Sequence, residues 1–174
     1  MKPSRRFLRY LLPIALLAGL PAAAETETAS ENAVRAVLLY NFLKFADLPT
    51  SEHGQKPLSI CIATGDHDLL AAMEQLQERQ VRGSPLLVQS FKHGTPCDAI
   101  YVDSRARWQL IADKPGSPHV LTVGVYPGFI NDGGIVEVDF QQRRPRFEIN
   151  IAQAKRAGIR FYPQLLRLAR RVIE

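Results

Sequence analysis

Two spacings alternate along this chain. Leu58-Ser59-Ile60-Cys61-Ile62-Ala63-Thr64, Leu86-Leu87-Val88-Gln89-Ser90-Phe91, Ala99-Ile100-Tyr101-Val102 and His119-Val120-Leu121-Thr122-Val123 are short, β-rich runs that read as buried strands. Between them Leu69, Leu70, Met73 and Leu76 recur at helical spacing, and a second helix is predicted from Ser104 to Ala112. Strands alternating with helices predict βαβ units and a parallel sheet. Gln80-Val81-Arg82 reads as a short edge strand before a turn at Gly83-Ser84-Pro85, while Tyr126-Pro127-Gly128-Phe129 and Asn131-Asp132-Gly133-Gly134 are turn signals.

The last third changes to strict alternation. Val136, Val138 and Phe140 alternate with Glu137 and Asp139; after Gln141-Gln142-Arg143-Arg144, Phe147, Ile149 and Ile151 alternate with Arg146, Glu148 and Asn150. This predicts a β-hairpin with an apolar inner face and a charged, solvated outer face at the side of the sheet. Asn150 is placed to cap a helix over Ile151 to Ala157 that Gly158 ends. Pro163 is placed to open a final helix with Leu165, Leu168, Ala169 and Val172 inward and Arg167, Arg170 and Arg171 outward.

Upstream, Thr28 or Ser30 can cap a helix running to about Ala46 and ended by Pro49. From Ala36 it reads Ala-Val-Leu-Leu-Tyr-Asn-Phe-Leu-Lys-Phe-Ala, apolar on nearly every side. Such a helix is either covered completely by its own domain or keeps a stripe for a partner. Tyr40, Phe42 and Phe45 are the first candidates for that stripe; the competing reading places all three in the core. Phe129 on its turn, and Arg167 and Arg171 on the final helix, are further candidates. The fold class expected is a single-domain α/β three-layer sandwich over residues 31–174, with a mostly parallel sheet and a C-terminal antiparallel hairpin.

Charge and composition change meaning once the N-terminus is considered. Lys2, Arg5, Arg6 and Arg9 precede an apolar run from Tyr10 to Leu20, too short to span a bilayer comfortably, and then the small residues Ala22-Ala23-Ala24. This is the layout of a cleaved signal peptide, residues 1–24, followed by a polar leader, residues 25–30. The full chain is +5 with 22 Lys/Arg against 17 Asp/Glu, but four of the bases lie in the signal, so the exported part is close to neutral. A nucleic-acid partner is therefore not indicated. In an oxidising periplasm the two cysteines, Cys61 and Cys97, are expected to form a structural disulfide, since a reactive pair would sit close in sequence.

Candidate chemistry is sparse. His53, His67, His93 and His119 show no metal-ligand spacing, and Gly65-Asp66-His67-Asp68 places acids where a phosphate site needs bare N–H groups, so the acids read as caps. Glu137, Asp139, Arg146 and Glu148 are the densest ionisable cluster, expected to be solvated ion pairs. A hydrolase would need Glu148, Asp139 or Asp103 buried beside a nucleophile. Neither a catalytic set nor a metal or other cofactor is expected.

Several segments together resemble the periplasmic YfiR family. They are Leu39-Tyr40-Asn41-Phe42-Leu43-Lys44-Phe45 with Leu48-Pro49, Ile60-Cys61-Ile62 with Cys97-Asp98, Val120-Leu121-Thr122-Val123 running into Pro127-Gly128-Phe129, Gly133-Gly134, Arg146-Phe147-Glu148-Ile149-Asn150, Arg156-Ala157-Gly158 and Leu165-Leu166-Arg167-Leu168-Ala169. The resemblance runs from about Asn32 to Val172. It implies a non-enzymatic repressor that binds the periplasmic region of an inner-membrane diguanylate cyclase, lowers cyclic di-GMP output and biofilm formation, and is compatible with a homodimer. Val125 stands where many relatives have an acid, Leu48 where an aromatic is common, and a second cysteine pair is missing, so stapling transfers better than redox switching. The alternative is a periplasmic small-molecule sensor acting on another membrane partner.

Overall fold

The computed structural model describes residues 23–49, 56–112, 119–140 and 144–174. The basic start and apolar run of the expected signal peptide, His53 and the hairpin residues 141–143 lie outside them. The elements are α1 (Ala23–Lys44), β1 (Ala46–Asp47), β2 (Leu58–Ala63), α2 (His67–Glu74), β3 (Gln80–Val81), β4 (Ser84–Ser90), β5 (Ala99–Val102), α3 (Arg105–Ala112), β6 (Leu121–Gly124), β7 (Val136–Asp139), β8 (Arg146–Asn150), α4 (Ile151–Arg156), β9 (Arg160–Phe161), α5 (Pro163–Leu166) and β10 (Arg171–Ile173).

Eight strands form one sheet in the order β10-β8-β7-β6-β5-β2-β4-β3. β4, β2, β5, β6 and β7 run parallel, β7 and β8 form the antiparallel hairpin, and β3 is the antiparallel edge beside β4. β1 and β9 make a separate antiparallel pair, tied to the β3 turn by Asp47, which accepts from Arg82 at 2.6 Å and Arg160 at 2.8 Å. Those bonds hold the Asp47 carboxyl below its ordinary range.

The central strands are apolar on both sides because both sides are covered. Ile60 and Ile62 of β2, Tyr101 of β5 and Leu121 and Val123 of β6 belong to the larger core with Leu39, Phe42 and Leu43 of α1 and Leu69 and Met73 of α2. Cys61 and Ala63 of β2 and Ile100 and Val102 of β5 face the other way, into a smaller core with Trp108 of α3, Tyr126 and Phe129. The result is the expected three-layer arrangement. Local signals act as anticipated: Asp66 accepts from the N–H groups of Asp68 and Leu69 to cap α2, Asn150 caps α4, and Pro163 opens α5.

Two boundaries differ from expectation. α1 already includes Thr28 and Ser30, so neither caps it; Ala-Glu-Thr-Glu-Thr-Ala holds no glycine or proline to stop a helix. The final helix ends at Leu166, and after a turn the chain forms β10, which lies parallel to β8 with Arg171 opposite Glu148 and Val172 opposite Ile149. Leu168, expected to face inward, is 73% exposed, and Val172 is also exposed. The hairpin is therefore not the side of the sheet; β10 covers it. The β-branched Val172 and Ile173 suit a strand, and the bond from Arg170 N–H to Phe147 carbonyl (2.8 Å) starts the pairing.

Cys61 and Cys97 are disulfide-bonded, with Cα atoms 5.8 Å apart and a sequence separation of 36. The link ties β2 to the segment entering β5, beside a 2.7 Å bond from Ser59 N–H to the Asp98 carboxylate. A loop of this length stabilises the fold by about 4 kcal/mol in the chain-entropy account. Cys61→Ser is accordingly expected to lower the melting temperature of the oxidised protein by about 10 °C, measured by calorimetry alongside a free-thiol assay. Coincident melting of the two proteins would reject a stabilising role for the link.

Candidate partner surface and its charged flank

A helix can bury one stripe and still present another, and α1 does both. Phe42 lies in the core, edge-on to Phe147 with ring centroids 5.1 Å apart, so it is not available to a partner. Phe45 is half-buried against the same core. Tyr40 is likewise half-buried against that core, with its outer part in contact at the surface: its hydroxyl donates to the Gln80 carbonyl at 3.1 Å, and the Arg79 guanidinium lies over its ring at 6.0 Å.

Tyr40 forms one wall of a groove of about 240 Å³ between α1 and α2. Ala33 and Ala36 from α1 and Ala72 from α2 are too small to close the gap between the helices, while Val37 and Leu76 line it and Gln75 and Arg79 stand at its rim. Val37 is 56% exposed and Val34, one turn earlier, is 38% exposed. Reading aromatics alone misses these two valines. The usable signal is the pair Ala33 and Ala36 at helical spacing beside them on α1, facing Ala72 of α2. An apolar groove between two helices suits an amphipathic partner helix.

Phe129, a further candidate from its turn, is fully buried and so not available to a partner. Its ring fills the space above two glycines: a Cβ on Gly124 or Gly134 would lie 2.3 or 2.1 Å from it. Trp108 and Tyr126 pack edge-on at 4.9 and 5.3 Å. Asp132 fixes this loop by accepting from Arg105 (2.8 Å) and the Tyr126 hydroxyl (3.0 Å), while its carbonyl takes the Trp108 indole N–H at 2.9 Å. Burial and the neighbouring carboxylate push the Tyr126 phenol upward.

Arg167 is exposed on the turn after α5. Arg171 is not a free outer residue: with Arg170 it holds Glu148. The Glu148 side chain is only 6% exposed and accepts from Arg170 Nε at 2.9 Å and Arg171 Nε at 2.8 Å, with Arg170 also 3.7 Å from Asp139. The outer face of β8 is thus covered by the chain's own C-terminus, which corrects the expectation of a solvated Glu148. Its neighbours are guanidinium groups that neutralise it. Asp103 is similarly committed, accepting from the Thr64 hydroxyl (2.8 Å) and Gly65 N–H (3.2 Å) and pairing with Arg107 Nε (3.0 Å).

Beside this cluster, a cleft of about 410 Å³ lies between α1 and the carboxyl ends of β6 and β7, with Glu31, Arg35, Glu137, Asp139, Phe140 and Arg170 among its walls. Arg35 pairs with Glu31 and stacks over Phe140 at 4.9 Å. Its charges are therefore partly compensated from within. Among the described residues no group of three His, Cys, Asp or Glu side chains could hold a metal ion, and no helix is long and apolar enough to cross a membrane.

The Glu148 cluster makes a pH prediction. Burial pushes the carboxyl upward, but Arg170 and Arg171 outweigh it, and its pKa lies below the ordinary value. A depressed folded pKa adds stability that is complete above the unfolded value, about 4.3, and is lost as pH falls through the folded one. Urea unfolding should show wild type more stable than Glu148→Gln by a constant margin from about pH 7 to pH 5, shrinking below about pH 4.3. A margin unchanged between about pH 5 and pH 3 would remove Glu148 from the clamp.

A family model described as YfiR/HmsC-like matches residues 32–170. Among solved structures, a conserved domain protein from Vibrio cholerae is 12% identical with a TM-score of 0.49, covering 81% of this chain and 60% of that one. The ABC domain from Streptococcus pneumonia, solved in complex with L-Trp, is 13% identical with a TM-score of 0.48, covering 68% of this chain and 56% of that one. At these scores neither structure bears on the function of this chain, which spans less than two thirds of each.

Proposed function

This chain belongs to the YfiR/HmsC-like family, whose members are periplasmic regulators of cyclic di-GMP signalling rather than catalysts, and from that premise we propose that it represses a membrane diguanylate cyclase. In this reading the protein is exported, its signal peptide is removed, and it binds the periplasmic region of the cyclase and holds the enzyme in a low-output state. Cyclic di-GMP and biofilm formation fall as a consequence. The disulfide supports a periplasmic home.

The observation that carries the proposal is the extent of the family match, which runs from within α1 to Arg170 and takes in every strand of the sheet but β10. The surface that supports it is the α1–α2 groove. A repressor needs no reacting groups; it needs a surface rigid enough to favour one state of its partner. Tyr40 and Arg79 are the residue types that dominate binding energy when buried at an interface, and Val34 and Val37 supply apolar area around them.

The test is capture of the cyclase by the immobilised protein from detergent-solubilised host membranes, read by mass spectrometry, followed by an assay of cyclase output. Val37→Asp is expected to weaken capture by about tenfold or more and to raise biofilm formation in cells, with the melting temperature unchanged because the side chain is largely exposed. Capture of a cyclase equally well by Val37→Asp would move the interface off the groove. Failure of the folded wild-type protein to capture any cyclase would overturn the repressor reading itself.

A further inference from the structure

The strand order reverses direction at β2. The chain leaves β2 for β4 on one side and then returns to place β5 on the other, so α2 and α3 pack against opposite faces of the sheet. In open α/β sheets the crevice outside the carboxyl ends of the strands at such a reversal is where ligands bind. A cavity of about 210 Å³ lies next to that point, on the β4 side of β2, bounded by the ends of β2 and β4, the segment after β4 and α3.

Its lining divides into two halves. Ala63, Phe91 and Ile111 make an apolar floor, and Leu110 of α3 stands at the mouth, 64% exposed. Lys92, His93 and Arg107 stand around them, and no carboxylate lines the cavity. Two of these three groups are held in place. The His93 ring packs edge-on to Phe91 at 5.4 Å. Arg107 is anchored through Nε to Asp103 at 3.0 Å, and its Nη2 lies over Gly65, where a Cβ would come within 2.4 Å of it. The Asp103 anchor is itself fixed by Thr64 and Gly65, so the guanidinium is positioned by the turn that follows β2. Lys92 is exposed, and no acidic residue of the cavity lining faces it.

We propose that this cavity binds a small amphipathic carboxylate, its apolar body on Phe91, Ala63 and Ile111 and its charged head at Lys92 with Arg107 alongside. The size fits: the cavity lies below the roughly 300–1,000 Å³ of sites for drug-sized ligands, which limits the guest to a short acyl chain or a single aromatic ring. The charge fits through Lys92, an exposed cation in a lining that carries no acid, while Arg107 is already paired with Asp103; an uncompensated cation there favours anions over neutral molecules of the same shape. The site lies beyond the cyclase-binding reading and does not depend on it; the groove between α1 and α2 shares no lining residue with it.

The experiment is titration of the purified protein with octanoate and phenylacetate, and with their neutral amides, followed by calorimetry and by amide NMR. The carboxylates are expected to bind saturably and to shift the resonances of Phe91, Lys92, Leu110 and Ile111. The amides should bind about tenfold more weakly or worse, and Lys92→Glu should lose a similar factor for the carboxylates while leaving the melting temperature unchanged. Leu110→Asp, also at an exposed position, should weaken both acids. Absence of saturable binding, equal binding of acid and amide, or shifts confined to other parts of the protein would each overturn the proposal.

Discussion

Everything in this domain depends on covering a parallel sheet on both faces. β2 cannot have one solvated side: Ile60 and Ile62 point one way, Cys61 and Ala63 the other, and all are buried. Each apolar side chain removed from water is worth about 1.5–3 kcal/mol when fully buried, so both covers are essential. The first is ample, built from α1 and α2. The second is thin, with α3 as its one helix. What completes it is unusual packing material: a disulfide, and a phenylalanine set against two glycines and two other aromatic rings. Cys61, Cys97 and Phe129 are thus structural for the same reason, each filling a layer too small to close by helices.

That distinction explains what could be read in advance. β5 and α3 fall where their local patterns put them, and Asp66, Asn150 and Pro163 act as caps or helix openers, because those signals are local. The C-terminus is different. Leu165, Leu168, Ala169 and Val172 have real helical spacing, yet the chain leaves the helix after Leu166. The competing demand comes from far away in sequence: Glu148, on a strand that would otherwise be the sheet edge, needs compensating charge, and Arg170 and Arg171 supply it only if the chain extends beside β8. Alternation placed Glu148 correctly on the outer face of the hairpin but carried no information about what would cover that face.

The candidate surface was legible in part for a related reason. Sequence pattern identified α1 as a helix with more apolar residues than one face requires, and Tyr40 sits on the accessible side. It could not tell Phe42 from Val37, because both are apolar and only the direction of the sheet decides which is inside. Size gave the remaining hint. Large residues such as Leu39, Phe42 and Leu43 fill the core, whereas Ala33, Ala36 and Ala72 leave the groove between the helices open.

The same helix therefore has two duties, and this constrains how the protein could act as a repressor. The stripe of α1 that faces the sheet is part of the main core, so the helix cannot unfold or rotate to meet a partner without exposing Leu39, Phe42 and Leu43. If the groove beside that stripe holds the cyclase, binding is docking against a preformed surface, and the entropy lost on ordering is small. Control of release would then have to act on the rim of the groove or on the partner, since melting α1 would cost the core itself. A regulator built this way is stable whether or not it is bound, and its affinity rests on few residues: the exposed valines, Tyr40 and the Arg79 that lies over its ring.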